Sequence, residues 1–346
     1  MPSAHGGAGI EAILFKDNGK FIMALINTER LPVAVIIGAT SKWQSDGRNT
    51  LLAHGHAVED STLPTSVRWG VGGAIAQKFA KEGYFTVLTT RRSSNAKALE
   101  TAIVNEGGSC ITIELDLASE KSISAAFKQI FEKAGEPSAL IYNAGYLEGR
   151  DLPPEKELLE YIDVEMFDTA QHIASRGPFL VCKEVLPSMR RRGSGSILFS
   201  NNAKSLRGTK RKTGESLYYP RVMMRTLSQV LTEEYSEFGI HVANIVIDGL
   251  IDSPGTRALA KAKDNPDAII NPEKIAEAFF YLHSQDPSCW THELQLTPFP
   301  TKPSFYTICI TFNSRKGMLF KSWHSKKSPG KTGDPGPSFT AIIKSL

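Results

Sequence analysis

Short apolar segments alternate with longer amphipathic segments through the central part of the chain. Residues 32–38 form a continuous apolar run, which is typical of a strand buried on both faces of a sheet. Helical spacing of apolar residues follows at 71–81, where Ile75 and Phe79 share one face. The same alternation predicts further strands at 85–90, 109–115, 139–142, 196–199, 241–247 and 293–296, and further helices at 95–105, 122–131, 164–191, 221–235 and 272–282. Gly177-Pro178 indicates a break within the helix at 164–191. This order predicts a doubly wound parallel α/β sheet, in which ligands bind beyond the carboxyl ends of the strands.

The pattern divides the chain into an extension at 1–31, a single α/β domain at 32–303 and a tail at 304–346. In the extension, apolar patches at 12–15 and 21–26 flank Asp17-Asn18-Gly19, which is a hairpin signal. Lys, Ser, Pro and Gly dominate the tail, so we expect it to be poorly ordered.

Composition and charge exclude several classes of protein. Apolar residues make up 41% of the 346 positions and charged residues 22%, so the chain can bury a sizeable core. The net charge of +4 comes from scattered basic residues, without the dense basic stripe of a nucleic-acid-binding protein. The four cysteines have no metal-ligand spacing, so we expect no metal site and no disulfide framework, and a reducing, cytoplasmic compartment. No apolar run is long enough for a membrane span, and the N-terminus lacks a signal-peptide pattern.

Two glycine-rich pieces lie at the end of the first predicted strand and at the start of the first predicted helix. They are Gly38-Ala39-Thr40-Ser41 and Gly70-Val71-Gly72-Gly73, which read GATSGVGG when placed side by side. Glycines at such a turn allow backbone N–H groups to approach a pyrophosphate at a helix N-terminus. The sequence therefore predicts a phosphate-binding glycine loop that is interrupted by a large insertion.

The insertion at 42–69 has two interpretations. The first is an unspliced intron, since triplets for Ser41-Lys42-Trp43 can contain a splice-donor sequence and removal of the segment restores an uninterrupted motif. The second is a genuine extended phosphate loop, because the segment holds groups that suit phosphate or ribose: Lys42, Ser45, Arg48, Asn49 and Arg68. We favour the intron because the restored motif is so regular.

With the insertion set aside, residues 32–300 resemble a short-chain dehydrogenase/reductase, a family with a Rossmann-type domain. Four more motifs follow in the family's order: Arg91-Arg92 after the second strand, Asp116-Leu117 after the third, Tyr142-Asn143-Ala144-Gly145 against the family's NNAG, and residues 247–254 (IDGLIDSP) against its PGxIxTP loop. The resemblance implies a nicotinamide cofactor held by Gly38, Thr40, Ser41, Gly70, Val71, Gly72, Arg91, Asp116, Leu117, Asn143, Ala144, Gly145, Ile251 and Ser253.

The residues after the second predicted strand indicate which cofactor is used. An acid at this position selects NAD through the ribose hydroxyls, whereas an arginine selects NADP by pairing with its 2′-phosphate. This strand ends at Thr90 and is followed by Arg91 and Arg92, with no acid. We therefore expect NADP, with NAD as the alternative.

The catalytic residues that the resemblance implies depart from the family pattern. The family places a Tyr-x-x-x-Lys pair on one helix, where the lysine binds the nicotinamide ribose and lowers the pKa of the tyrosine. Here Arg221 occupies the lysine position and Leu217 the tyrosine position. Tyr218 lies three residues before Arg221 and shares its helix face, whereas Tyr219 does not. We expect Tyr218 and Arg221 to form the catalytic pair.

The rest of the family's catalytic set is also altered. Asn202 falls at the serine position, with Ser200 as the nearest hydroxyl, and Ala174 falls at the asparagine position. An asparagine still hydrogen-bonds a carbonyl or hydroxyl group, so Asn202 and Ser200 complete the predicted catalytic residues. His172 and His292 are expected to be structural.

These features predict an NADP-dependent oxidoreductase that interconverts a hydroxyl and a carbonyl on a small molecule. The chain resembles microbial dehydrogenases of secondary metabolism, of the sesquiterpenoid and abscisic-acid type, which suggests a terpenoid substrate. The family implies a homodimer or homotetramer that pairs through helices 164–191 and 221–235. Two alternatives stay open: an enoyl reductase of the same fold, whose members also have shifted tyrosines and enlarged loops, and a non-catalytic NADP-binding sensor or scaffold, which the altered catalytic positions suggest.

Overall fold

The computed structural model describes residues 10–17, 20–27, 31–39, 67, 69–145, 158–206, 220–257 and 264–304. Of the predicted site, Thr40, Ser41 and Tyr218 lie outside the described residues. So do Tyr219, all of the predicted insertion except Val67 and Trp69, and the predicted tail except Ser304.

Eleven strands and eight α-helices are found in the described residues. In chain order the strands are β1 (Ile10–Asp17), β2 (Lys20–Asn27), β3 (Val33–Ile37), β4 (Phe85–Thr90), β5 (Ser109–Glu114), β6 (Pro137–Tyr142), β7 (Gly195–Asn202), β8 (Ile240–Ile247), β9 (Leu250–Ile251), β10 (Ile269–Ile270) and β11 (Glu293–Leu296). The helices are α1 (Gly70–Lys81), α2 (Lys97–Asn105), α3 (Glu120–Lys133), α4 (Val164–Gln171), α5 (Gly177–Arg192), α6 (Arg221–Tyr235), α7 (Pro254–Arg257) and α8 (Pro272–His283).

Seven of the strands form one sheet in the order β11-β8-β7-β6-β3-β4-β5, and every neighbouring pair is parallel. Apolar residues of α1, α2 and α8 pack on one face, and those of α3, α5 and α6 pack on the other. The sheet is therefore doubly wound, as the sequence predicts. The strand order reverses between β3 and β6, which is where such sheets bind ligands.

The predicted elements agree closely with the structure. All seven predicted strands are present in the sheet, and the hairpin signal corresponds to the antiparallel pair β1–β2. The predicted helix at 164–191 has a break beside Gly177-Pro178, as expected: α4 and α5 are joined by a π-helical turn at His172–Arg176. The parallel pair β9–β10 was not predicted, because two-residue strands are too short to show a periodicity.

The last residues of the predicted insertion pack against the domain. Val67 is buried, and Trp69 packs on the apolar cluster that includes α1. Within the described residues, no helix is long and apolar enough to cross a membrane. The same residues contain no group of three His, Cys, Asp or Glu side chains that could hold a metal ion.

Candidate active site

Glycines from the two halves of the interrupted motif are in backbone contact. A Cβ atom at Gly72 would lie 2.2 Å from the carbonyl oxygen of Gly38, so the contact requires glycine. Gly38 has a φ of +80°, and a Cβ there would lie 2.7 Å from the Cα of Ala144. Asn143 closes the junction, because its Nδ2 donates to the Gly38 oxygen over 3.1 Å. The ends of β3 and β6 and the start of α1 therefore meet at the carboxyl edge of the sheet.

The N-terminus of α1 faces this junction. Its N-cap residue Trp69 makes no side-chain capping hydrogen bond, and the first turn carries no acidic residue. Gly70 has a φ of +61° and open space where a Cβ would be, and Val71 continues the turn. The first N–H groups of a helix have no helical partner, and they carry the positive end of its dipole. This arrangement fits the diphosphate of a dinucleotide cofactor.

Two exposed arginines follow β4. Neither Arg91 nor Arg92 forms an ion pair with any other described residue. The acid at the end of the adjacent strand, Glu114, accepts a hydrogen bond from the N–H of Ser93 over 2.8 Å, and this bond lowers its pKa. The two guanidinium groups outnumber this one carboxylate, and an excess of positive charge suits a phosphate group.

The predicted adenine contacts lie in the turn after β5. The Oδ1 atom of Asp116 accepts from the N–H of Ala118 over 3.0 Å, and the N–H of Asp116 donates to Ser122 over 2.9 Å. Leu117 is nearly buried in the core. Both side chains therefore shape the turn that leads into α3.

Arg221, the first residue of α6, reaches over the ends of β6 and β7. Its Nη1 donates to the carbonyl oxygen of Ser200 over 2.9 Å. Its Nη2 lies only 2.4 Å from the position that a Cβ of Gly145 would occupy, so the glycine makes room for the guanidinium. Because Gly145 follows Ala144 in the glycine junction, the charge of Arg221 lies beside the cradle for the cofactor.

Asn202 ends β7 and is oriented by the following turn. Its Oδ1 accepts from the N–H of Lys204 over 3.0 Å, which fixes the orientation of the amide and so the direction of its donor Nδ2. Alternation along β7 places the side chain of Ser200 on the same face as Leu198, and Ser200 is only 6% exposed. Ser200 therefore contacts Arg221 through its carbonyl oxygen.

A buried tyrosine occupies the first position of the family's NNAG motif. The hydroxyl of Tyr142 donates to the carbonyl oxygen of Ile173 in the π-helical turn, which also holds Ala174. A Cβ at Gly177 would lie 2.7 Å from that hydroxyl, so the next helix begins with glycine. Complete burial raises the pKa of Tyr142 well above its ordinary value, so the phenol stays protonated. This contact lies at the break that the sequence predicts near Gly177-Pro178.

The loop after β8 folds back through the β9–β10 pair. Ile251 pairs with Ile270, and the Oγ of Ser253 accepts from the N–H of Thr256 over 3.1 Å. A cavity of about 280 Å³ opens beside this loop and is lined by Asp248, Gly249, Leu250, Asn265, Ala268, Ile269, Thr301 and Lys302.

Comparison with known proteins decides the family. A sequence profile described as short chain dehydrogenase matches residues 63–264, more than half of the chain. The chain belongs to the short-chain dehydrogenase family. The match begins at residue 63 and so leaves out β3 and Gly38, yet the structure places β3 between β4 and β6 in the sheet.

Individual relatives agree with this assignment. Levodione reductase from Leifsonia aquatica is 28% identical over 216 residues, which are 62% of this chain and 76% of that protein. An alcohol dehydrogenase from the archaeon Thermococcus sibiricus, solved with 5-hydroxy-NADP, has a TM-score of 0.59 at 21% identity and covers 79% of this chain and 98% of its own. A metagenomic short-chain oxidoreductase solved with NADP has a TM-score of 0.57 at 21% identity, covering 77% of this chain and 97% of its own. The structural likeness shows the fold, and the family match identifies the chain as an oxidoreductase.

Sequence reasoning missed three polar residues behind the site. Asn244, Glu293 and Arg225 are linked to Asn201 by hydrogen bonds on the face of the sheet that α6 covers. The signal in the sequence was Asn244, a lone amide within the apolar strand IHVANIVI.

Proposed function

We propose that this protein is an NADP-dependent oxidoreductase that interconverts a hydroxyl and a carbonyl group on a small molecule. The observation that carries the proposal is the convergence of three groups at one edge of the sheet. These are the N-terminus of α1, the guanidinium of Arg221 and the donor amide of Asn202.

The cofactor in this proposal is NADP. The start of α1 would hold the diphosphate and Arg91 the 2′-phosphate, while the residues after β5 and β6 would line the adenine and ribose sites. A bound nicotinamide cofactor would supply or accept a hydride at the substrate carbon. Two features support NADP over NAD. Two exposed arginines follow β4, and no acidic residue stands at the end of that strand, where an NAD-selecting acid would be.

The side chains of the protein control the substrate oxygen. Tyr218 would exchange a proton with this oxygen, and the fixed charge of Arg221 would favour the tyrosinate form. Asn202 would donate a hydrogen bond to the same oxygen through Nδ2. Because the bond from Lys204 orients the amide, Nδ2 would stabilise a carbonyl oxygen or a developing alkoxide. Ser200 would take part through its carbonyl, which holds Arg221.

A turnover assay tests the proposal. The purified protein is mixed with NADPH or NADH and panels of ketones, aldehydes and enoyl thioesters, and with NADP⁺ and secondary alcohols. We expect reaction with carbonyl compounds or alcohols, and faster reaction with the phosphorylated cofactor. Reaction with enoyl thioesters alone would favour an enoyl reductase. Binding of NADPH without turnover on any panel would favour the non-catalytic sensor.

We further propose a terpenoid secondary metabolite as the substrate. Its support is the resemblance to dehydrogenases of sesquiterpenoid pathways, and a terpene cyclase or cytochrome P450 gene beside this one would strengthen it. Kinetic comparison of terpenoid alcohols with simple secondary alcohols tests it directly.

The proposal also includes a homodimer or homotetramer in the cytoplasm. Large apolar side chains are exposed on α4, α5 and α6, which favours pairing through these helices: Val164, Phe167, Phe179, Val222, Met223 and Val230. The cytoplasmic location is proposed from the cysteine spacing, which has no disulfide framework. Light scattering after size-exclusion chromatography measures the assembly.

A further inference from the structure

Two buried asparagines lie directly behind the candidate active site. Asn201 is 2% exposed and Asn244 is fully buried. A buried amide is costly unless its donors and acceptor are paired. Here the two amides pair with each other, since Nδ2 of Asn201 donates to Oδ1 of Asn244 over 3.1 Å. The pair is part of a longer hydrogen-bonded chain.

A carboxylate sets the direction of this chain. Arg225 donates to both oxygens of Glu293, over 2.6 and 2.8 Å, and thereby lowers the pKa of that carboxyl. An ionised carboxylate can only accept, so Asn244 must turn its Nδ2 toward Glu293, at 3.1 Å. The Oδ1 of Asn244 then faces Asn201, so Asn201 must donate to it with its own Nδ2. The orientation of both amides thus follows from the charge on Glu293.

Asn201 passes this orientation to two residues of the candidate site. Its Nδ2 also donates to the backbone carbonyl of Arg221 over 3.2 Å, which ties down the first residue of α6. Its Oδ1 accepts from the N–H of Asn202 over 3.0 Å, which fixes the backbone of that residue. The chain therefore ends on the two residues that occupy the family's lysine and serine positions.

We propose that Glu293 is a positioning residue, which acts through Asn244 and Asn201 to hold Arg221 and Asn202 in the orientation that the reaction requires. This inference rests on the proposed function. It gives a role to a residue of β11, the strand at the far end of the sheet from the strands that carry the adenine and phosphate contacts.

Two isosteric variants break the direction of the chain, and their combination restores it. Glu293→Gln replaces one carboxylate oxygen with an NH2 group, which must face either Nδ2 of Asn244 or the guanidinium of Arg225, so a donor there loses its acceptor. Asn244→Asp puts two carboxylates together. In the double variant, the carboxylate at 244 accepts from Asn201 and from the new amide at 293. The matched control is Glu136→Gln, because Glu136 pairs with Arg191 and Arg192 and is 44% exposed against 37% for Glu293. Glu136 precedes β6 at the amino edge of the sheet, outside the candidate site.

Two measurements separate positioning from simple stability. Steady-state kinetics give kcat and the KM values for each variant, and hydrogen exchange follows the backbone amides of residues 199–206. We expect Glu293→Gln and Asn244→Asp to lower kcat roughly 5- to 100-fold and to speed exchange at Asn202, because coupled neighbours interact by this much. The double variant should recover most of both losses, and Glu136→Gln should change neither.

Unchanged kcat or unchanged exchange in Glu293→Gln would overturn the proposal, and so would the absence of recovery in the double variant. An equal loss of kcat in the control would also overturn it, because the effect would then be structural. If the wild-type protein turns over no substrate, the proposed function fails separately. Hydrogen exchange at Asn202 and NADPH affinity then test whether the hydrogen-bonded chain positions Asn202 and Arg221. The single variants should lose both properties and the double variant should recover them.

Discussion

The two edges of the parallel sheet carry polar clusters of different kinds. At the amino edge, His283 is held between the hydroxyls of Ser196, 2.6 Å from Nδ1, and Tyr84, on Nε2. Beside it, the ring of His241 stacks on Trp290. Both ring nitrogens of His283 and Nε2 of His241 are paired with side chains or the backbone. At the carboxyl edge, by contrast, hydrogen bonds inside the protein orient Arg221 and Asn202 beside the glycine junction.

The contrast shows why residue type alone does not identify a site. A histidine can serve as a general acid, yet His292 donates from Nδ1 to the carbonyl of Val242 over 3.0 Å, which suits the structural role expected for it. Asn202 is a less obvious candidate, but its acceptor is occupied and its donor is available. Pairing within the protein favours stability at one edge, and oriented donors favour ligand binding at the other.

The largest effect is expected for the proposed proton donor at the carboxyl edge. Tyr218→Phe should lower kcat by roughly 10²- to 10⁴-fold with NADPH affinity intact, because the phenol that exchanges the proton is lost. Tyr219→Phe is the matched control and should be much milder. Single-turnover kinetics and NADPH fluorescence measure the two quantities. Equal activity of Tyr218→Phe and wild type would mean that the proton comes from another group.

A smaller loss is expected when the guanidinium of Arg221 is replaced by an ammonium. Its Nη1 donates to the Ser200 carbonyl, and its Nη2 lies over Gly145. A lysine cannot fill both positions, so Arg221→Lys should lower kcat/KM by roughly 10- to 100-fold. Gly145→Ala should cause a similar loss by displacing Nη2. Wild-type kinetics in both variants would show that charge alone is sufficient.

Cofactor preference is expected to change by a comparable or smaller factor. Arg91→Asp removes a charge-assisted contact worth roughly 1.5–3 kcal/mol, so NADPH affinity should fall by about 10- to 150-fold. NADH affinity should be spared or improved. Isothermal titration with both cofactors measures this, and parallel losses for the two would contradict the assignment of Arg91 to the 2′-phosphate.

Changes to the histidine cluster at the amino edge are expected to alter the stability of the protein and to leave turnover nearly unchanged. Burial lowers the pKa of His283 to about 4, whereas the unfolded chain titrates near the ordinary value of 6.5. The unfolded state therefore binds the proton first as the pH falls. The contribution of His283 to the free energy of unfolding is fully present above about pH 6.5. It declines toward pH 4 by at most about 1.4 kcal/mol per pH unit. His241, whose pKa burial also lowers, contributes in the same direction.

Urea unfolding between about pH 7 and pH 4.5 measures this decline. His283→Gln should flatten the profile, although it lowers stability at neutral pH. Arg91→Asp serves as the control from the other edge and should keep the wild-type profile. An equally steep decline in His283→Gln would assign the acid sensitivity to other groups.

Much of the fold was predictable because its elements are local. Continuous apolar runs predicted the buried strands, and helical spacing predicted the helices that cover them. The order of motifs along the chain indicated the family, which the profile match confirms. Gly177-Pro178 indicated a break in the helix, but not that a π-helical turn would form there. The carbonyl of Ile173 in this turn accepts from the hydroxyl of Tyr142 in β6, 31 residues away in the chain, and no local pattern shows that contact.

By itself, the sequence determined the fold class, the family and the positions of the strand ends where a cofactor binds. Only the tertiary structure decided which polar groups meet there. Gly38 and Gly72 touch across the segment that interrupts their motif. Asn244 is hydrogen-bonded to Asn201 and Glu293, which lie 43 and 49 residues away in the sequence. Such contacts depend on strand order and register, which bring distant residues side by side on one face of the sheet. No local pattern encodes them, because each amide's orientation follows from the partner that packing supplies.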